Sequence, residues 1–203
     1  MNSQTRRDLR RYQLALRLMA HQARTQTISA MTRLTHHQLA TLRKRWRITQ
    51  DMRHRGPSPT SLSVFLHSPR ARAEGASLAV ACRALHVLPR PGSSATRASL
   101  FSIEAGERLC EVYEAYRTCF PASDVEFEDV LLLAAGLVDG DAIRLSNCGS
   151  CGATILVDLL AMHRGRCFYC HLREVEALST GTDKSPPSPT HPMQRHTNRT
   201  NHK

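Results

Sequence analysis

Two C-x2-C pairs constrain this chain more than any other feature: Cys148 with Cys151, and Cys167 with Cys170, separated by fifteen residues. A C-x2-C loop turns tightly enough to aim two thiolates at one ion, and two such loops complete a tetrahedral four-sulfur site. The first pair reads Asn147-Cys148-Gly149-Ser150-Cys151-Gly152, and its glycines permit the turn that brings backbone N–H groups up to sulfur. The second reads Cys167-Phe168-Tyr169-Cys170. The leading reading is a structural Zn2+. Iron suits four thiolates as well, and the spacing also admits two disulfides, a redox dithiol or unligated thiols. Four protein sulfurs leave no open coordination position, which argues against metal-assisted hydrolysis. His163 and His171 lie close in sequence, but the sulfurs already fill the site.

Charge is the second constraint. The net charge is +11, and residues 1–55 hold twelve Arg and one Lys against Asp8 and Asp51, so the whole excess sits in the first quarter of the chain. Concentrated and almost all arginine, it points to phosphate, which guanidinium matches two oxygens at a time. Nucleic acid leads as partner, ahead of an acidic protein surface or membrane lipid. The N-terminus is charged (Arg6, Arg7, Arg10, Arg11) where a secretory leader is apolar. The longest apolar run, Val130 to Val138, is nine residues and too short for a bilayer. With seven cysteines, four at metal spacing, the expected setting is a reducing cytoplasm and no membrane.

The expected fold is mainly α: a helical domain with an N-terminal helix-turn-helix-like region and a small C-terminal four-cysteine zinc module. Four parts are expected: 1–55, basic and helix-turn-helix-like; 56–140, a helical scaffold and partner-binding region; 141–178, the zinc-binding module; and 179–203, a polar, proline-rich, disordered tail. In the first part a single helix runs along Leu9, Tyr12, Leu16, Met19, Ala23 and Ala30, an apolar seam that also suits a partner helix. After a turn at Arg33-Leu34-Thr35, Thr35 with Gln38 forms a capping box for a basic second helix. In a helix-turn-helix the second helix enters the major groove by its N-terminal residues. Thr35, His36, His37, Gln38 and Thr41 then face base edges, while Arg43, Lys44, Arg45 and Arg47 grip phosphates. A plain helical hairpin with a basic solvent face shows the same spacing. Trp46 is expected in the core on either reading.

Residues 55–63 read as a linker, Ser68-Pro69 starts a helix through Leu85, and a long helix covers about 98–119. Ser123 with Glu126 is expected to cap the next helix, through Val138. Residues 142–145 and 153–157 are expected as short strands flanking the first cysteine pair. Such a module is too small to fold without its ion. Arg144, His163, Arg164, Arg166 and Arg173 surround it, as surface charge or as added phosphate contacts.

The order of parts resembles the FlhC family, the C subunit of the bacterial flagellar master transcriptional activator. The residues carrying the resemblance are Gln13-Leu14-Ala15-Leu16 and Ala23-Arg24, then Leu34-Thr35 and Leu39 through Leu42, the Gly56-Pro57-Ser58-Pro59 loop, and the cysteine quartet closing a helical chain. The resemblance implies zinc on Cys148, Cys151, Cys167 and Cys170. It also implies binding of double-stranded promoter DNA in a hetero-oligomer with an FlhD-type partner subunit, and activation of flagellar genes through RNA polymerase. The alternative is a zinc-ribbon nucleic-acid-binding or adaptor protein not dedicated to flagellar promoters. No Gly-rich phosphate loop, nucleophile elbow or open metal site is present, so an enzyme is not expected. At 5% aromatic content, stacking on single-stranded RNA is disfavoured.

Overall fold

The computed structural model describes residues 3–48, 59–88, 96–161 and 165–180. Eight α-helices and one two-stranded antiparallel sheet make up these segments, with a 3-10 turn at Arg97–Leu100. The mainly helical class matches the sequence reading. Residues 49–58, which include the start of the expected 55–63 linker, and residues 181–203 of the expected 179–203 tail lie outside the described residues.

The first expected helix is two. α1 (Ser3–Ala20) stops where Gln22 takes φ 58 and Ala23 N donates to Leu18 O at 2.9 Å, and α2 (Thr25–Thr32) folds back beside it. A left-handed residue ends a helix by letting the next amides reach its orphan carbonyls. The start of α2 is held from far along the chain. The buried Glu128 carboxylate accepts from Arg24 N (2.8 Å) and Thr27 Oγ1 (3.0 Å), serving as a cap that the local sequence lacks. At the other end of α2, Arg33 is left-handed (φ 59), and three residues separate α2 from α3 (His36–Arg45).

α3 starts as expected: Gln38 N donates to Thr35 Oγ1 (3.2 Å) and Thr35 N donates to Gln38 Oε1 (2.8 Å), a reciprocal capping box. Its end corrects the reading of Trp46, which is 60% exposed instead of core. The helix stops at Arg45, Arg47 turns through φ 52, and Ile48 N returns to Arg43 O at 3.0 Å. Trp46 continues the spacing of the buried Leu39, Leu42 and Arg43, but it follows the last helical residue, and its indole stays outside.

α4 (Ser63–Leu66) buries Phe65, and α5 (Pro69–Ala84) begins with Ser68 as cap and proline in its first turn, as expected. The next helix starts later than expected. α6 is Ile103–Cys119, and Ser102 Oγ caps it by accepting from Ala105 N at 3.1 Å. α7 (Phe127–Asp139) is capped differently from the expectation too. Asp129 accepts from Glu126 N at 2.9 Å, while Ser123 is drawn into a buried cluster with Tyr116 and Glu74. Leu14 and Leu18 of α1, Ile28 of α2, Leu78 of α5, Leu109 of α6 and Leu133 of α7 are fully buried in one core. Gly106 lets α1 and α6 close together: a Cβ there would lie 2.9 Å from Leu14 Cδ2.

β1 (Ile143–Asn147) and β2 (Thr154–Asp158) stand within two residues of the strands expected at 142–145 and 153–157, and they pair antiparallel from Ile143↔Asp158 to Asn147↔Thr154. Leu156 anchors this hairpin against Gly75 of α5, and Ile143 packs on Gly136 of α7. A helix absent from the sequence reading, α8 (Phe168–Thr180), follows the second cysteine pair.

Candidate functional site

The strand register places residues 148–153 at the tip of the hairpin, which closes the first knuckle through Cys148 N to Ala153 O (2.8 Å) and Gly152 N to Cys148 O (2.9 Å). Gly152 is left-handed, φ 73, a conformation that costs glycine nothing. The first turn of α8 carries the second knuckle across to it, and Gly149 N donates to Gly165 O at 3.0 Å. All four sulfurs of Cys148, Cys151, Cys167 and Cys170 lie within 4.8 Å of one another. A tetrahedral ion with metal–sulfur bonds of about 2.3 Å has sulfur–sulfur edges of about 3.8 Å. The Cys151–Cys167 edge, 3.6 Å, is close to that and far longer than a disulfide bond.

The electrostatics fit a cation as well. Backbone N–H groups, first that of Cys167 and then those of Ser150 and Cys151, hold the Cys148 thiol down to about 6. Side-chain hydrogen bonding with Cys151, and then with Cys167, pushes the Cys170 thiol up to about 12. These four cysteines can hold a metal ion. Cys82 and Cys110 are buried in the helical core, where desolvation pushes both thiols up to about 12. His171 lies outside the cysteine cluster on the wall of a neighbouring cleft, and His163 and Arg164 lie outside the described residues. Arg144 and Arg173 are exposed, and Arg166 pairs with Glu174.

The second region is the face carried by α3. Thr35, His36, His37, Gln38, Thr41, Lys44, Arg45 and Arg47 are all exposed. Arg43 is not: it is 6% exposed and donates from Nη2 to Thr25 Oγ1 at 3.0 Å, bracing α3 against α2 instead of lying open to a phosphate. The capping box also occupies Thr35 Oγ1 and Gln38 Oε1. His36 and His37 thus remain as the side chains at the start of α3 with no side-chain partner among the described residues, with Thr41 bonded back to His37 O.

Other N-terminal arginines divide the same way. Arg10 is paired with Glu107 (3.1 Å) and Arg17 with Glu114 (2.7 Å), both on α6. Arg11 donates to Thr32 O (2.7 Å) and Arg33 O (3.2 Å), fixing the turn before α3. Arg6, Arg7, Arg33, Lys44, Arg45 and Arg47 are exposed and carry no side-chain ion pair or hydrogen bond among the described residues. Arg7 lies one helical turn before Arg11, on the side facing the α2–α3 turn. Arg6, Arg7 and Arg33 were missed as individual candidates; the concentration of charge in residues 1–55 was the only signal for them.

Around the metal module, Leu159, Leu160, Phe168, Tyr169, Leu172 and Val175 are exposed. Phe168 also lines a cleft of ≈ 310 Å³ with Arg72 and Ala73 of α5 and Ile155 of β2. No helix among the described residues is long and apolar enough to cross a membrane. Neither a model of a known protein family nor a curated protein matches the chain.

Proposed function

We propose that this chain is a DNA-binding transcriptional activator of the FlhC type, acting on flagellar promoters with an FlhD-type partner subunit and RNA polymerase. One observation carries the DNA-binding reading: a capped, firmly docked α3 with exposed His36 and His37 at its start and exposed Lys44, Arg45 and Arg47 at its end. A helix presented this way meets the major groove end-on, with its first turn toward base edges and its cations toward phosphates. Three residues between α2 and α3, braced by Arg11 and Arg43, give the spacing of a helix-turn-helix. The flagellar assignment and the two partners rest on the resemblance in residue order.

Zinc is the ion proposed for the four-cysteine site. Bound there, it supplies cross-linking and no chemistry, since four thiolates leave no position for a substrate. Its role is to hold the β1–β2 hairpin to α8.

A second reading, an adaptor, is favoured by the six exposed large apolar side chains of the metal module, which suit a protein partner. Binding of zinc-loaded protein, alone and with an FlhD-type subunit, to flagellar promoter duplex and to random duplex separates the two. Selective binding that weakens steeply with salt supports the activator. Metal-loaded protein that ignores both duplexes while binding its partner refutes the activator and leaves the adaptor.

A further inference from the structure

We infer that Trp46 is a DNA contact, its indole lying against the sugar–phosphate backbone at the rim of the groove that α3 enters. The inference rests on the DNA-binding reading of α3 and adds to it a residue that sequence reasoning assigned to the core. Trp46 is the only tryptophan of the chain, and at 60% exposure it leaves most of a large apolar ring in water. Exposed indoles of this kind are costly in the free protein and are enriched where one face is apolar and one edge donates a hydrogen bond.

Its surroundings select the occupant. Lys44, Arg45 and Arg47 flank it in sequence, all exposed, and none is paired with a carboxylate among the described residues. An apolar protein patch would leave those three charges desolvated beside it, whereas a polyanion satisfies them. The deoxyribose–phosphate backbone offers both halves: sugar carbons for the ring face and phosphate oxygens for the indole N–H and the cations.

Helix length then fixes the position. From His36 to Trp46 is ten residues, which at about 1.5 Å per residue is about 15 Å. The major groove is about 8.5 Å deep, so a helix that enters end-on by its first turn has its last residues level with the flanking backbone. With the first turn of α3 in the groove, Trp46 lies at its wall, against backbone and not bases. The backbone carrying the indole is already set, because Trp46 N donates to Leu42 O (3.0 Å) and Ile48 N to Arg43 O (3.0 Å) around the left-handed Arg47. Little main-chain order remains to be gained on binding.

The test uses the full zinc-loaded chain carrying 5-fluorotryptophan, with any partner subunit unlabelled, so that one fluorine resonance reports Trp46 alone. Free protein should show a solvent-isotope shift of that resonance, and saturation with duplex should abolish it. Covering roughly 60 Å² of indole at about 25 cal/mol per Å² corresponds to a factor of about ten in affinity. Trp46→Ala should therefore weaken promoter and random duplex by the same factor of about ten, leaving melting temperature and salt dependence as in the wild type.

Duplex binding that leaves the solvent-isotope shift in place, or a Trp46→Ala variant that binds duplex as tightly as the wild type, would overturn the inference while the DNA reading of α3 stood. A loss confined to the promoter duplex would place the indole on bases and overturn the backbone assignment. Failure of wild-type protein to bind any duplex would overturn the DNA-binding reading itself, and this inference with it.

Discussion

Removing a cation that neutralises a phosphate flattens the salt dependence of DNA binding, whereas removing one that braces the fold does not. The N-terminal charge excess contains exposed, uncommitted cations as well as cations that brace the fold. Arg45 is exposed with no side-chain partner among the described residues, while both ends of the Arg11 guanidinium are spent on Thr32 O and Arg33 O. Each phosphate contact contributes about 0.9 to the slope of log K against log salt. Among the described residues, the six exposed, uncommitted cations of this excess (Arg6, Arg7, Arg33, Lys44, Arg45 and Arg47) therefore contribute a slope of about 5 at most.

Arg45→Ala should reduce the measured slope by about 0.9 and leave the melting temperature unchanged. Arg11→Ala should leave the slope unchanged and lower fold stability by about 1–2 kcal/mol, the worth of two partly exposed charge-assisted bonds. Anisotropy titrations of labelled duplex at four or more salt concentrations, with thermal melts of each variant, measure both. The reasoning is refuted if Arg45→Ala leaves the slope intact, or if Arg11→Ala flattens it by the same increment.

Three further outcomes follow from the packing and the metal centre. Arg17, and then His21, hold the Glu114 carboxyl down to about 2. Its stabilisation is therefore complete above the ordinary value of 4.5 and disappears as pH falls toward 2. Glu114 is 42% exposed, so Glu114→Gln should cost only about 1 kcal/mol at pH 6, and chemical denaturation across pH should show wild type and variant converging below pH 3. Gly106→Leu drives a side chain into Leu14 and Met31 and should cost about 1–3 kcal/mol in urea unfolding; a cost near zero would show that α1 and α6 are not in close contact. Cys148→Ser, or a strong chelator, should remove the metal and expose residues 143–176 to protease while the helical core survives; one metal per chain retained by the variant would rule out the four-cysteine site.

What was readable in the sequence was whatever is encoded within a few residues. The Thr35–Gln38 box, the Ser68-Pro69 helix start and the two C-x2-C loops are local signals, and each stands where the spacing put it. The misses come from interactions that span the chain. Periodicity ran straight through residues 21–24, because the carboxylate that caps α2 belongs to Glu128, about a hundred residues on. Arg43 counted as one more surface cation until Thr25 was placed beside it, and Trp46 kept the helical phase of Leu39 and Leu42 although the helix ends one residue earlier. Ser123 fits a cap consensus, yet Tyr116 and Glu74 claim its hydroxyl. At the α3 face the residue types were readable, but the split between bracing and uncommitted arginines required tertiary contacts.

The most direct test of α3 as the DNA-facing element is photo-crosslinking of zinc-loaded full chain to promoter duplex from three exposed positions: Thr41 on α3, Val80 on α5 and Tyr169 beside the metal centre. Capture of duplex from Thr41, with none from Val80, is the result predicted. Capture from Tyr169 with none from Thr41 would contradict it and transfer the DNA surface to the metal module.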